Sequence, residues 1–132
     1  CMNGANVVLT EQKELVDLIK RNINSNKAAF SQSNCGTIEA IRLDWERDLS
    51  KSFKTKSKLC PDFILSADCV YEPLYGNSWK FLLEKMHSIS VKNTKIIVSL
   101  ERRISDGIEN FLISATDMKL NPTLVVKKGL GP

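Results

Sequence analysis

The chain is poor in the residues that most often build a metal centre. It has one histidine, His87, and four cysteines, Cys1, Cys35, Cys60 and Cys69, none in a Cys-x-x-Cys pair. Tetrahedral zinc sites draw their ligands from such pairs and from spaced histidines, so no metal is expected. Nothing in the cysteine spacing requires an oxidising compartment. No apolar run approaches the roughly 20 residues that a spanning helix needs. No charged segment followed by an apolar one marks a secretory leader. A basic face interleaved with aromatics, the footprint of nucleic-acid binding, is also missing. Net charge is only +4, and the densest basic run, residues 51–58, mixes lysine with serine and threonine. That run reads as a solvated loop. The expectation is a cytoplasmic monomer with no nucleic-acid or membrane partner.

What is present is the balance of a packed domain. The 132 residues are 42% hydrophobic and 26% charged, enough apolar surface for a core and too little charge for disorder. This is the size of a single domain, residues 1–132. Residues 7–10 (Val-Val-Leu-Thr) predict a strand apolar on both faces, hence a buried parallel one. Leu15, Leu18 and Ile19 share a helical face, and the pattern fades in the asparagines of residues 22–27. Residues 37–43 predict a second strand, and residues 46–61 a long polar loop ended by Pro61. Phe63-Ile-Leu65 predicts a third strand closed by Ser66-Ala67-Asp68, with Cys69 reading as a buried thiol. Pro73 and Gly76 mark a turn. Trp79, Leu82, Leu83 and Met86 form an apolar stripe on a helix over residues 77–87. Residues 95–100 predict a fourth, buried strand. Ile104, Ile108, Phe111, Leu112 and Ala115 mark another helix, and residues 124–126 a fifth strand.

Strands alternating with helices predict an α/β fold: an open, doubly wound, mostly parallel sheet with helices on both faces. In such sheets ligands bind beyond the carboxyl ends of the strands. Four clusters follow strand ends. Glu11 could accept hydrogen bonds from ribose hydroxyls, or could complement a helix dipole. Asp44-Trp45 offers a flat surface for an adenine, or a cover for a sheet edge. Ala67-Asp68-Cys69-Val70-Tyr71 combines a small residue, a charge and a phenol; its plainer reading is a capping Asp with a core Tyr. Glu101-Arg102-Arg103 could line the cleft or form a surface ion-pair group.

Taken in order, these segments resemble a known family. Val-Val-Leu-Thr-Glu11, Glu14 through Lys27, Leu43-Asp-Trp45, Pro61-Asp-Phe-Ile-Leu-Ser-Ala-Asp-Cys-Val-Tyr71 and Glu101-Arg-Arg103 are similar to the seven-β-strand, class I protein-lysine methyltransferases of the methyltransferase-like 21 group. The branch most resembled methylates a valosin-containing ATPase chaperone. The resemblance spans about residues 4–118, and its most specific part is Ala-Asp-x-x-Tyr after an apolar strand. It implies a Rossmann-like sheet, S-adenosylmethionine as cofactor and a protein substrate, of which an ATPase chaperone is one expectation. It assigns Glu11 to the cofactor ribose, Asp44 and Trp45 to the adenine side, and Ala67 to contact with the cofactor. Asp68 and Tyr71 become the catalytic pair that shapes the lysine channel, and Glu101 and Arg103 substrate-binding residues at its mouth.

The implied reaction is direct displacement of the sulfonium methyl by a deprotonated lysine amine, with no metal and no covalent enzyme intermediate. Catalysis then consists mainly of aligning nitrogen, methyl and sulfur. Two other readings compete. One is an oxidoreductase using a nucleotide cofactor on a similar sheet. The other is a catalytically inactive methyltransferase-like binding module.

Against the family pattern, the first strand and the glycine-rich cofactor loop are expected before Cys1, and part of the C-terminal hairpin is lacking. Residues 1–132 are therefore expected to bind S-adenosylmethionine weakly or not at all. Calorimetric titration checks this, and micromolar affinity would contradict it.

Overall fold

The computed structural model describes residues 1, 3–30, 35–47 and 60–125. It divides into two compact units, Cys1–Leu59 and Cys60–Pro132. In the first unit, strand β1 (Val7–Glu11) leads into helix α1 (Lys13–Ser25), a short 3-10 turn (Lys27–Phe30) and strand β2 (Ile38–Arg42). β1 and β2 pair in parallel, with Val7 opposite Ile38 and Glu11 opposite Arg42. Parallel neighbours need a crossover, and α1 supplies it while packing on both strands. The entry to the pair is fixed by Asn6, whose side-chain oxygen accepts the Thr37 backbone N–H at 3.0 Å and its hydroxyl at 2.9 Å.

The second unit repeats the pattern. Strand β3 (Phe63–Ala67) is followed by a one-turn helix α2 (Glu72–Tyr75), a 3-10 turn (Gly76–Ser78) and helix α3 (Trp79–Ile89). Strand β4 (Lys95–Ser99) and helix α4 (Ile108–Asp117) complete it. β3 and β4 are parallel, Phe63 facing Lys95 and Ala67 facing Ser99. The Thr94 hydroxyl donates to the Pro61 carbonyl at 2.7 Å and so ties the two strand starts together.

The core of this unit lies between the helices. Val70, Trp79, Leu83, Ile108, Phe111 and Ala115 form one buried cluster, with Val98 and Leu100 packed against it. Trp79 is 2% exposed and meets Phe111 edge to face, centroids 6.0 Å apart. Its indole N–H donates to Glu72 at 2.9 Å, so the largest core residue leaves no buried donor unpaired. All four residues of the predicted stripe, Trp79, Leu82, Leu83 and Met86, are buried.

Several expectations change. β1 and β4 are not buried on both faces, and β3 has the same pattern: residues alternate between half-buried and exposed, and Leu65 stands 73% exposed beside exposed Phe63 and Ile97. Only the opposite side, through Val98, packs against the helical cluster. Helix α1 buries Val16, while Leu15 and Leu18 are exposed, because a helix resting on a two-stranded pair covers a narrow stripe. Ser66 and Ala67 continue β3 rather than closing it, since Ala67 pairs with Ser99. Cys69 is half-buried beyond the strand, its thiol donating to the Ala67 carbonyl. Ile104, 93% exposed, precedes α4 instead of joining it. Residues 124 and 125 form no strand; both side chains are exposed and no ladder partner meets them among the described residues, which exclude Val126. The basic run 51–58 lies outside them too.

Gly107 allows α4 to start where it does. Its φ is +81°, and a Cβ there would come within 2.5 Å of the Glu72 side chain that holds Trp79. Gly107→Ala is expected to destabilise the fold by about 1 kcal/mol or more, because alanine pays for the left-handed backbone and displaces Glu72. Urea denaturation followed by tryptophan fluorescence measures this, and an unchanged midpoint would contradict it.

Candidate functional site

The parallel register decides which residues meet. In the first unit the Leu43 N–H donates to the Glu11 carbonyl at 2.9 Å, which sets Asp44 and Trp45 beside the end of β1. The Glu11 carboxylate is half-buried and accepts the Gln12 N–H at 2.9 Å, at the threshold of α1. Asp44 is held by cations: Arg47 lies 3.1 Å and Arg42 3.7 Å from one oxygen, while the other accepts the Glu46 N–H. Trp45 is half-buried. Glu11, Asp44 and Trp45 thus form one group, with a carboxylate and an aromatic face at the same strand ends.

The second unit gathers the other predicted residues. Ala67 is the last residue of β3. Asp68 follows with φ +51°, a left-handed backbone that Asp tolerates better than most side chains. Its N–H donates to the Ser99 carbonyl at 2.9 Å, and one carboxylate oxygen accepts the Glu101 N–H at 3.3 Å. Asp68 therefore caps no helix; it joins the ends of β3 and β4. The N-cap of α2 is Tyr71.

Arg103 links the charges. Its guanidinium donates to Glu101 from Nε at 2.9 Å and also from Nη2, lies 3.9 Å from the second Asp68 oxygen, and sits over the Tyr71 ring at 5.0 Å. The hydrogen bond to Glu101 raises its pKa further above an already high value, helped by the nearby Asp68 charge. Asp68, Tyr71 and Glu101 are therefore brought together around the Arg103 guanidinium. Glu101 and Arg103 form the exposed ion pair that was the plainer reading of this segment.

One residue in this cluster has no counterpart among the sequence candidates. Asp106 is 4% exposed. One oxygen accepts the Arg103 backbone N–H and the other the Ile108 N–H, each at 2.9 Å, and Arg102 Nε lies 3.5 Å away. These backbone donors, Arg103 foremost and then Ile108, hold its carboxyl below the ordinary carboxylate range against the opposing effect of burial, with Arg102 adding a smaller pull. The signal was legible: Asp two residues before a helix start, followed by Gly, is a cap pattern. An open pocket of about 290 Å³ beside it is lined in part by Glu72, Arg102, Arg103, Asp106 and Glu109, but not by Asp68 or Tyr71.

The chemistry open to these groups is polar and electrostatic. A half-buried carboxylate at one strand end and an indole just beyond the neighbouring strand end are groups that can take a ribose and a base. An exposed carboxylate beside a phenol can receive a cation, since the Asp68 side chain is 62% exposed and its charge is only partly offset by Arg103.

A family model described as lysine methyltransferase matches residues 1–118. Among curated proteins, "Secreted RxLR effector protein 48" of Plasmopara viticola is 40% identical over 114 residues, covering 80% of this chain. The chain spans 57% of that relative's length.

The depressed Asp106 pKa fixes the sign of a pH effect. A carboxyl whose folded pKa lies below its unfolded value of about 3.9 adds stability above that value and loses it as pH falls through the folded pKa. The stability gap between wild type and Asp106→Asn is therefore expected to be widest near neutrality and to narrow in acid. Urea midpoints measured across this range check it, and a gap independent of pH would contradict it.

Proposed function

Because the chain belongs to the lysine methyltransferase family, we propose that it transfers a methyl group from S-adenosylmethionine to a lysine side chain of a protein substrate. The family match carries this reading. The two residue groups support it, since each has the donor chemistry that one half of the reaction requires. Glu11 and Trp45 suit the ribose and adenine of the cofactor: a half-buried acidic residue and a half-buried indole that follow the ends of two strands joined there by the Leu43–Glu11 backbone hydrogen bond. Bound there, S-adenosylmethionine supplies an activated methyl on a sulfonium.

This chain's residues then bind and orient. Asp68 presents an exposed carboxylate that receives the incoming lysine ammonium and orients it; the proton passes to solvent water at this open site before the free amine attacks. The Tyr71 ring walls the approach, and Arg103 fixes that ring from one side. Glu101 holds Arg103 and so keeps its charge from fully neutralising Asp68. Alignment is the main contribution expected of such a site.

Finer points belong to the same proposal. We assign the chain to the methyltransferase-like 21 group, with a Rossmann-like, doubly wound sheet, on the motif at residues 67–71 and the two parallel pairs joined through helical crossovers. An ATPase chaperone is the substrate this grouping favours, and a monomer acting in the cytoplasm is the matching assignment. The relative's name, a secreted effector, states no reaction, and the second reading is therefore kept: a methyltransferase-like module that binds a partner protein without transferring methyl groups.

Incubating the whole protein with tritiated S-adenosylmethionine and a cell lysate separates the two. A labelled band whose label resides on lysine supports transfer; an absence of label across lysates favours the binding module. Asp68→Ala is expected to lower transfer by about tenfold or more, because the lysine loses its orienting charge. Asp68→Asn keeps the left-handed backbone and an acceptor oxygen, so a comparable loss there assigns the effect to charge. Unchanged turnover in both variants would remove Asp68 from its role. Glu11→Ala is expected to raise the apparent KM for S-adenosylmethionine by about tenfold with a smaller effect on kcat.

A further inference from the structure

Asp106 is better connected than a helix cap needs to be. Its carboxylate serves two segments at once, accepting the Ile108 N–H at the start of α4 and the Arg103 N–H in the loop after β4. Its backbone carbonyl serves a third, accepting the Glu72 N–H at 3.1 Å. Glu72 directly follows Tyr71, so this bond holds the chain at the base of the Tyr71 ring. The two ends of the Arg103–Tyr71 contact are therefore both tied to one residue, Arg103 through the carboxylate and Tyr71 through the neighbouring amide.

The geometry allows little slack. Ser105 has φ +55° and Gly107 φ +81°, so the backbone turns sharply on both sides of Asp106. A non-glycine residue held in the left-handed region costs free energy that the surroundings must offset. Here the offset is available from the three hydrogen bonds and from the burial of Ile108 in the core cluster. Removing the carboxylate would free the Arg103 amide. The same change would leave Arg103 to its exposed side-chain pairs with Glu101 and Asp68, which are worth little individually in water.

We propose that Asp106 is a positioning residue of the substrate side: it sets Arg103 over the Tyr71 ring and thereby fixes the Asp68–Tyr71 pair. The catalytic consequence rests on the methyl-transfer reading; the geometric one does not. Asp106 touches no reacting atom. It acts through Arg103 and through the Tyr71–Glu72 backbone.

Two measurements test this. The first needs no variant. Amide hydrogen exchange of the wild-type protein, followed by NMR, should show the Arg103, Ile108 and Glu72 amides protected by about tenfold or more over unstructured amides. Arg103 is the informative one, because it lies in an exposed loop and Asp106 is the acceptor its amide meets. An unprotected Arg103 amide would overturn the proposal whatever the protein catalyses.

The second measurement uses Asp106→Ala, which removes both acceptor oxygens, with Arg102→Ala as the control that breaks only the ion pairs to Asp106 and Glu109. In Asp106→Ala the Arg103 amide should lose protection, and contacts between the Arg103 side chain and the Tyr71 ring should weaken. In the whole protein, kcat for label transfer from S-adenosylmethionine to lysate protein should fall about tenfold while KM for the cofactor stays within about twofold. Arg102→Ala should leave both nearly unchanged. Loss of Arg103 order with kcat intact would overturn the positioning role. If the wild type transfers no label, the methyl-transfer reading fails, and the exchange result alone decides whether Asp106 sets the geometry.

Discussion

Parallel pairing is the constraint on which both halves of this structure depend. Two strands running the same way must be joined by a crossover, and their carboxyl ends then emerge at one edge. β1 and β2 end on Glu11 and Arg42, opposite one another; β3 and β4 end on Ala67 and Ser99. Whatever follows these residues in the chain is forced together, however far apart it lies in sequence. Leu43 reaches the Glu11 carbonyl, and Asp68 reaches both the Ser99 carbonyl and the Glu101 amide. An antiparallel hairpin would have put one of each pair at the opposite end.

The second unit shows how such an edge is made rigid. Its helices hold a tight apolar cluster around Trp79 and Phe111, and Glu72 connects that cluster to the surface by accepting the indole N–H. Glu72 is also where the Asp106 carbonyl is bound, and Asp106 in turn holds Arg103. Core packing, helix start and polar cluster are therefore continuous. The exposed charges at the end of this chain of contacts would be weak partners in isolation. They pair with one another through side chains, while the buried Asp106 carboxylate holds the Arg103 backbone amide behind them.

The sheet faces are unequal. On β3 and β4, one side meets the helical cluster through Val98, while Phe63, Leu65 and Ile97 are exposed on the other. The family match, residues 1–118, covers the stretch of chain that builds the two strand-end groups. The chemistry assigned to those groups is binding and orientation, which depends on fixed backbone more than on unusual proton affinities.

Much of this was legible in the residues alone. The apolar stripe of Trp79, Leu82, Leu83 and Met86 announces a buried helix face, because helical period puts these four on one side. The four β-strands and the polar clusters behind them are equally readable, since each cluster abuts an apolar run. Tertiary structure decided the rest. Periodicity cannot tell a strand covered on both faces from one covered on a single face, so the exposure of Leu65 and Ile97 depended on what packs there. An apolar run such as residues 124–125 becomes a strand only if a neighbour offers a ladder, and none among the described residues does. Asp106 looks from sequence like an ordinary helix cap. Its hold on Arg103 and Glu72 exists only because a turn with two left-handed residues brings three segments within hydrogen-bond reach of one carboxylate and its carbonyl.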